Sequence, residues 1–318
     1  MCDRMVNSKA LCKGSPNKDS SLSDIHNRLA PARNHFGSQS AMEYLMTYGW
    51  AILIIAIVLV ALFSLGVFNS GNFAPRAQPG SCEVLRNSVQ TSLVGQCNGE
   101  LPEYVAEFTP LLSNYPRVYA VSSLIPSGLN PRTVTLWFYP KNTGTIFSFN
   151  NGSSSACLQF AIEIRPGNDF YLSTCNDDFY PGFSVSYNTW YFVAVTETVV
   201  NSNRIINVTL NTQTATQTST DLNNGNEDVI NIGGWDGSHT GQMNGSIANV
   251  QVYNVTLSPN DIQALYQEGI GGAPINVNNL VGWWPLNGNT NDYSGNGNDG
   301  TAIAINYTSA WTSGYSAP

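Results

Sequence analysis

Apolar residues are arranged along this chain in two ways. From Trp50 to Phe68 (WAILIIAIVLVALFSLGVF) nineteen residues run without a charge, and the apolar character already begins at Ala41. About 20 such residues span the hydrocarbon core of a bilayer as a helix, so the run predicts a transmembrane helix; no second stretch resembles it. Beyond Asn69 the pattern becomes short alternating runs. Thr133–Tyr139 (TVTLWFY) sets Val134, Leu136 and Phe138 on one face of a strand. Cys157–Ile164 and Phe170–Cys175 flank the turn-forming Arg165–Asp169 (RPGND) and read as strand, turn, strand. Further β-rich runs cover Trp190–Thr196, Ile205–Leu210, Val229–Ile232, Ser246–Tyr253 and Leu280–Leu286. Many short strands without a long amphipathic helix predict a mainly β protein, an antiparallel β-sandwich. The one helix expected there is Ser258–Gly269: Ser258 suits an N-cap, Pro259 the first turn, Asp261 the helix dipole and Gly269 the exit.

Composition and charge place this pattern. Of 318 residues 11% are charged, against about 25% in ordinary globular domains. Asn, Ser, Thr and Gly stand in for them, which suits exposed strands and turns on an extracellular surface. Thirteen basic against 21 acidic residues, net −8, provide no surface for a phosphate backbone, so nucleic acid is not an expected partner. Residues 1–38 are net positive through Arg4, Lys9, Lys13, Lys18, Arg28 and Arg33, and the remainder is strongly acidic. The positive-inside rule then puts residues 1–38 in the cytoplasm and the ectodomain outside. The expected order is a leader 1–38, a membrane helix 39–68, a Gly/Pro/Asn linker and neck 69–103, and a β-domain 104–318.

Glu43 is the only acid between Asp24 and Glu83, and it opens the apolar helix. A carboxylate there is costly unless paired, although headgroup depth or the helix dipole also accounts for it. The string Gly37-Ser38-Gln39-Ser40-Ala41-Met42-Glu43-Tyr44-Leu45, followed by the hydrophobic run, resembles the class III signal peptide of archaeal type IV pilins. That resemblance implies cutting between Ser38 and Gln39 by a membrane aspartic, prepilin-type peptidase. It also implies that Glu43, then at the fifth mature position, neutralises the amino terminus of a neighbouring copy in a filament core. The family usually has Gly before the cut, where this chain has Ser38 after Gly37.

In the ectodomain, Gly245-Ser-Ile-Ala-Asn-Val-Gln-Val-Tyr253 with Leu257-Ser258, Ile262 and Leu265-Tyr266 resembles the closing strand and short helix of the laminin G-type, concanavalin A-like jelly roll. Trp137 and Trp190 stand where that family places strand tryptophans. Val281-Gly-Trp-Trp-Pro-Leu286 through Asp292–Gly300 resembles the family's opening motif, yet lies near the C-terminal end. A truncated second repeat or a circular permutation explains the reversed order. Permutation is preferred, with 280–311 returning to complete the same sandwich, because too few residues remain for a second core and the first sandwich would otherwise expose an edge.

Four cysteines follow the membrane run, and an even number outside the cell suggests disulfides. Three pairings are possible. Cys82–Cys97 and Cys157–Cys175 are expected, the first bracketing a short loop and the second symmetric about Pro166-Gly167. Glycosylation sequons stand at Asn151, Asn207, Asn244, Asn254 and Asn306, about as many as chance gives in so Asn-rich a chain. The loop Asn287–Gly300 offers oxygen ligands, Asp292 and Asp299 foremost with Asn296 and Asn298, for a Ca²⁺ ion; Asx turns explain the same letters without one. Asp236, Glu227 and Asp228 add oxygens only where the fold brings them near. Trp283 and Trp284 are adjacent in a strand and so point to opposite faces, one inward and one under a loop or toward a sugar ring.

Some concanavalin A-like sandwiches hydrolyse glycosides with paired carboxylates facing one groove. Here Glu163 and Glu197 lie singly in strands, Asp177-Asp178 sits in a loop, and GxSxG, P-loop and HExxH motifs are absent. An enzyme is therefore not expected. The expected function is that of a pilin-like surface structural and adhesion protein, self-associating through its N-terminal helix and displaying a laminin G-like domain to glycans or cell-surface glycoproteins. The alternative is a single-pass surface lectin that does not polymerise, with a glycoside hydrolase as a more distant third.

Overall fold

A computed structural model describes residues 37–64, 75–98, 100–110, 115–126, 128–150, 160–174, 177–220, 228–235 and 241–318. Residues 1–36 of the expected leader, together with Asn151, Cys157, Cys175, Glu227 and Asp236, lie outside the described residues. The chain divides into two compact units, Met1–Ala61 and Leu62–Pro318.

Helix α1 runs Gly37–Ser64, most of it in the first unit. Its stretch Met42–Ser64 is long and apolar enough to cross a membrane. Leu45, Trp50, Ile54 and Ile57 are exposed along it, so among the described residues it buries no apolar face within the first unit. Glu43 lies in the second turn, where its carbonyl accepts a bond from the Thr47 hydroxyl.

Among the described residues the second unit is mainly β, with one α-helix and a short 3-10 turn, Val277–Asn279. Among the described residues its strands are β1 Arg76–Ala77, β2 Cys82–Arg86, β3 Thr91–Gly95, β4 Leu101–Pro102, β5 Val105–Phe108, β6 Arg117–Val121, β7 Arg132–Pro140, β8 Gly144–Asn150 and β9 Phe160–Arg165. They continue with β10 Asp169–Thr174, β11 Tyr191–Val200, β12 Asn203–Leu210, β13 Gln213–Ser219, β14 Val229–Ile232 and β15 Gly245–Tyr253. After helix α2, Pro259–Glu268, come β16 Leu280–Trp284, β17 Thr301–Ile303 and β18 Ile305–Thr308. One sheet runs β10-β9-β8-β14-β6-β17; the other runs β13-β12-β11-β7-β15-β5-β18, with β16 also on β15. The pairings within both are antiparallel.

Strand alternation assigns each side chain to a layer. Val134, Leu136 and Phe138 of β7 turn inward as predicted, meeting Val193 and Val195 of β11 and, from the opposite sheet, Phe147, Phe149, Phe160 and Ile230. The intervening residues, Trp137 of β7 with Phe192 and Ala194 of β11, face outward into a second apolar layer. Helix α2 covers that layer with Ile262 and Leu265. The helix forms where its punctuation predicts: Ser258 caps it in a reciprocal box with Asp261, Pro259 opens it and Gly269 closes it.

The C-terminal segment is built into both sheets. β16 lies beside the Val250–Tyr253 half of β15, end to end with β5, which pairs with Gly245–Ile247 on the same flank. β17 then pairs with β6 in one sheet and β18 with β5 in the other, the chain crossing between them at Ala304, φ 51°. Trp284 is fully buried between the sheets, whereas Trp283 turns to the outer layer, donates its indole N–H to Asn249 Oδ1 at 2.9 Å and lies under Tyr293. Gly282 has no substitute here, because a Cβ would run into the Trp284 ring. β16 stops at Trp284, two residues short of the expected Leu286, where Pro285 removes a donor and Leu286 takes φ 56°.

The neck is ordered against the same segment. β2 and β3 form a hairpin closed by the Cys82–Cys97 disulfide. The Arg86 guanidinium donates to the carbonyls of Ser294, Val277 and Leu280, tying the hairpin to residues almost two hundred positions away.

Candidate functional site

The outer face of the larger sheet is apolar under α2 and polar beside it, and the polar part forms a groove. Its floor comes from three neighbouring strands. Thr196, Asn207 and Thr216 face each other in register across β11, β12 and β13. The Asn207 amide donates to Thr196 Oγ1 at 3.3 Å, and its oxygen accepts from Thr216 Oγ1 at 2.7 Å. One step along, Thr209 and Thr214 share a hydroxyl–hydroxyl bond of 3.1 Å. Such cross-strand polar pairs are worth about 0.2–1 kcal/mol each, and they hold the floor side chains in fixed orientations.

The wall is helix α2. Gln263 and Gln267, one turn apart, are exposed toward the groove, and Tyr266 between them is half-buried. Tyr266 is held by stacking on Trp137 at 5.9 Å and 15°. Thr256 and Leu257 close the upper corner, where the Thr256 hydroxyl donates to the carbonyl of Glu197. The groove has a volume of about 700 Å³. Gln263, Gln267 and Thr212 make no side-chain hydrogen bond among the described residues, so the rim presents unused amide and hydroxyl groups. Among the described residues, no Asp, Glu, Lys, Arg or His side chain lines the groove.

Strand alternation also explains where the acids went. Thr196 faces the groove, so its neighbour Glu197 faces the interior between the sheets. There it pairs with Arg132 at 2.8 Å and with Arg204, all three side chains at most 2% exposed. Burial pushes the Glu197 carboxyl up, but the two guanidiniums outweigh it and hold the group below the ordinary carboxylate range. Arg132 lies over the rings of Phe149 and Phe160. Glu163 belongs to the other sheet and turns to its outer side, bonded to Arg165 and Ser173. The two strand carboxylates therefore share no groove. Asp178 is near Arg165 at 3.6 Å.

The other predicted site residues fall elsewhere. Asp292 Oδ1 accepts from the amides of Trp283 and Ser294, and Oδ2 from the Ser294 hydroxyl and the Asn298 amide. Asp299 Oδ1 accepts from the Asp292 amide at 2.8 Å. Asn296 and Asn298 donate to the carbonyls of Leu280 and Val281. These bonds engage both carboxylate oxygens of Asp292, one of Asp299 and the side-chain amide nitrogens of Asn296 and Asn298. No group of three or more His, Cys, Asp or Glu is placed to hold a metal among the described residues. Of the sequons, Asn254 and Asn306 are exposed, Asn244 is half-buried, and Asn207 is the floor of the groove. Sequence reasoning missed the groove because its lining side chains are neutral and come from separate stretches; Leu257, Ser258, Pro259, Ile262 and Tyr266 were singled out for the fold and Asn207 only as a sequon.

Two antiparallel sheets closed by α2 and the C-terminal strands define a sandwich of the concanavalin A-like class. Residues 114–263 match the Laminin_G_3 family, described as the concanavalin A-like lectin/glucanases superfamily. No curated protein matches the chain. Among solved structures, a protein of Bacteroides ovatus assigned as carbohydrate-binding is similar over 80% of this chain and 84% of its own, at 12% identity and TM-score 0.50. A heptameric SAP-like pentraxin from Limulus polyphemus is similar over 64% of this chain and 94% of its own (14% identity, TM-score 0.47). Trypanosoma rangeli sialidase, in complex with sialic acid, is similar over 63% and 33% (14% identity, TM-score 0.42).

Proposed function

We propose that this chain is a membrane-anchored surface protein of pilin type whose concanavalin A-like domain binds glycans. The observation that carries the binding half is the groove beside α2: an open surface of hydroxyls, amides and the apolar Leu257, Pro259 and Ile262, bordered by an aromatic ring, which matches the alternating hydroxyls and C–H faces of a sugar. No carboxylate pair lines it, which favours binding over hydrolysis. The pilin half rests on the exposed apolar α1 and on Glu43 near its start, a carboxylate that low dielectric tolerates best beside a cation. Detergent-solubilised full-length protein should bind immobilised glycans; failure across a broad panel overturns the binding half. Cells carrying Glu43→Ala should lose surface filaments seen by electron microscopy. Filaments retained in the variant, or an intact Met1 on surface material by mass spectrometry, would leave an anchored lectin that does not polymerise.

A further inference from the structure

We infer that the groove along α2 takes a neutral saccharide and does so without a metal ion. The inference rests on the glycan-binding reading and names the class of glycan. Three observations support it. The first is the lining itself: threonine, asparagine and glutamine side chains with Tyr266 and the apolar Leu257, Pro259 and Ile262, and no charged side chain. A uronate or sialate carboxylate entering such a site loses water and gains no cation, a cost that grows with burial. The second is the fate of the acids on the elements that build the groove. Glu197 is turned into the core between Arg132 and Arg204. Asp261 is spent on the Ser258 amide and hydroxyl at the helix start, and Glu268 is not part of the lining. None is left to complete the six to eight oxygen ligands of a Ca²⁺ ion. The third is net charge, −8 for the chain, which repels anionic ligands at long range.

The volume, about 700 Å³, falls in the range of about 300–1,000 Å³ for small-ligand sites. A short oligosaccharide segment would therefore lie along the helix, its hydroxyls meeting Gln263 and Gln267 and one ring face meeting Tyr266.

The test is isothermal titration of detergent-solubilised full chain with neutral gluco-, manno- and galacto-oligosaccharides and with their uronate-containing counterparts. Each is run with added calcium and with excess EDTA. Gln263→Ala and Thr214→Glu alter exposed groove positions, and unchanged melting temperatures confirm that both variants fold. A neutral oligosaccharide should bind equally with calcium or EDTA, the uronates should bind more weakly, and each variant should lose about tenfold in affinity, or 1.4 kcal/mol. Binding abolished by EDTA, tighter binding of uronates, or binding indifferent to both variants overturns this inference while leaving the domain a glycan binder. No binding to any glycan overturns the parent reading as well.

Discussion

Glu197 shows how strand alternation decides the part played by one acid. In sequence it stands singly in a β-run, with no second carboxylate beside it; alternation turns it inward, where Arg132 and Arg204 hold it in a buried triad. Removing one partner from such a cluster leaves an uncompensated charge and costs about 3–5 kcal/mol. Glu197→Ala should therefore lower the unfolding free energy by that amount, read from urea titration. Because its folded pKa lies below the ordinary value of 4.5, its contribution is complete above that pH and is lost as pH falls through the folded value. Acid titration of the wild type should show this loss below pH 4.5, and Glu197→Gln should flatten it; parallel curves for the two proteins would refute the assignment. Asp292 is organised the opposite way, as an anion satisfied by four donors in a surface loop. Asp292→Ala strands those donors and should cost about 2–4 kcal/mol. With both carboxylate oxygens already occupied, millimolar calcium should leave the wild-type melting temperature where it is; a rise of several degrees would show that the ion displaces these bonds.

Individual elements differ in how openly their residues declare them. β7 is legible from Val134, Leu136 and Phe138 on its inner face, and its LWFY run reflects burial of both faces in distinct layers; β14 is found at its expected ends, Val229–Ile232. Helix α2 follows from its caps, and Ser258→Ala should destabilise the domain by about 1 kcal/mol, measurable as a lower denaturation midpoint. β13, Gln213–Ser219, is another matter. Its QTATQTS sequence has one small residue, Ala215, turned to the core and threonines on the outer side, so no hydrophobic period marks it. Its place is set by pairing with β12, a non-local fact. β5, β6, β17 and β18 escaped for a related reason: each is short, and its register comes from a distant partner. The groove inherits this opacity, since its floor is this polar margin of the sheet and its wall a helix read only for its caps. The neck hairpin adds its own local check. The Cys82–Cys97 bridge spans 15 residues, and a loop of that length corresponds to about 3 kcal/mol of chain entropy. Since Val84 and Leu93 join the outer apolar layer, the Cys82→Ser, Cys97→Ser double variant should lower stability by no more than that, keep the sandwich, and raise hydrogen exchange in β2 and β3 first.

At the scale of the whole β-unit, the decisive question is why residues 280–300 carry a motif that resembles an opening one. Position answers it physically. β16 occupies the flank of β15 left open beyond β5, and β17 and β18 each terminate a sheet. With them go Val281, Trp284 and Leu286 from the inter-sheet core, and Leu280, Trp283, Trp311 and Tyr315 from the outer layer. At about 1.5–3 kcal/mol for each large apolar side chain buried, these seven amount to roughly 10–20 kcal/mol, as much as the entire stability of an ordinary domain, about 5–15 kcal/mol. A chain ending at Asn279 should thus fail to fold, giving no cooperative melt and binding a hydrophobic dye. Truncation alone does not separate permutation from simple necessity, so the stronger experiment moves the segment. If 280–318 acts as the first strands of the sandwich, placing it ahead of Arg76 through a flexible linker should restore the cooperative melt and the near-ultraviolet signal of Trp283 and Trp284. A permuted chain that stays unfolded with linkers of several lengths would mean that the covalent path through 270–279, and not only the strand positions, is required for closure.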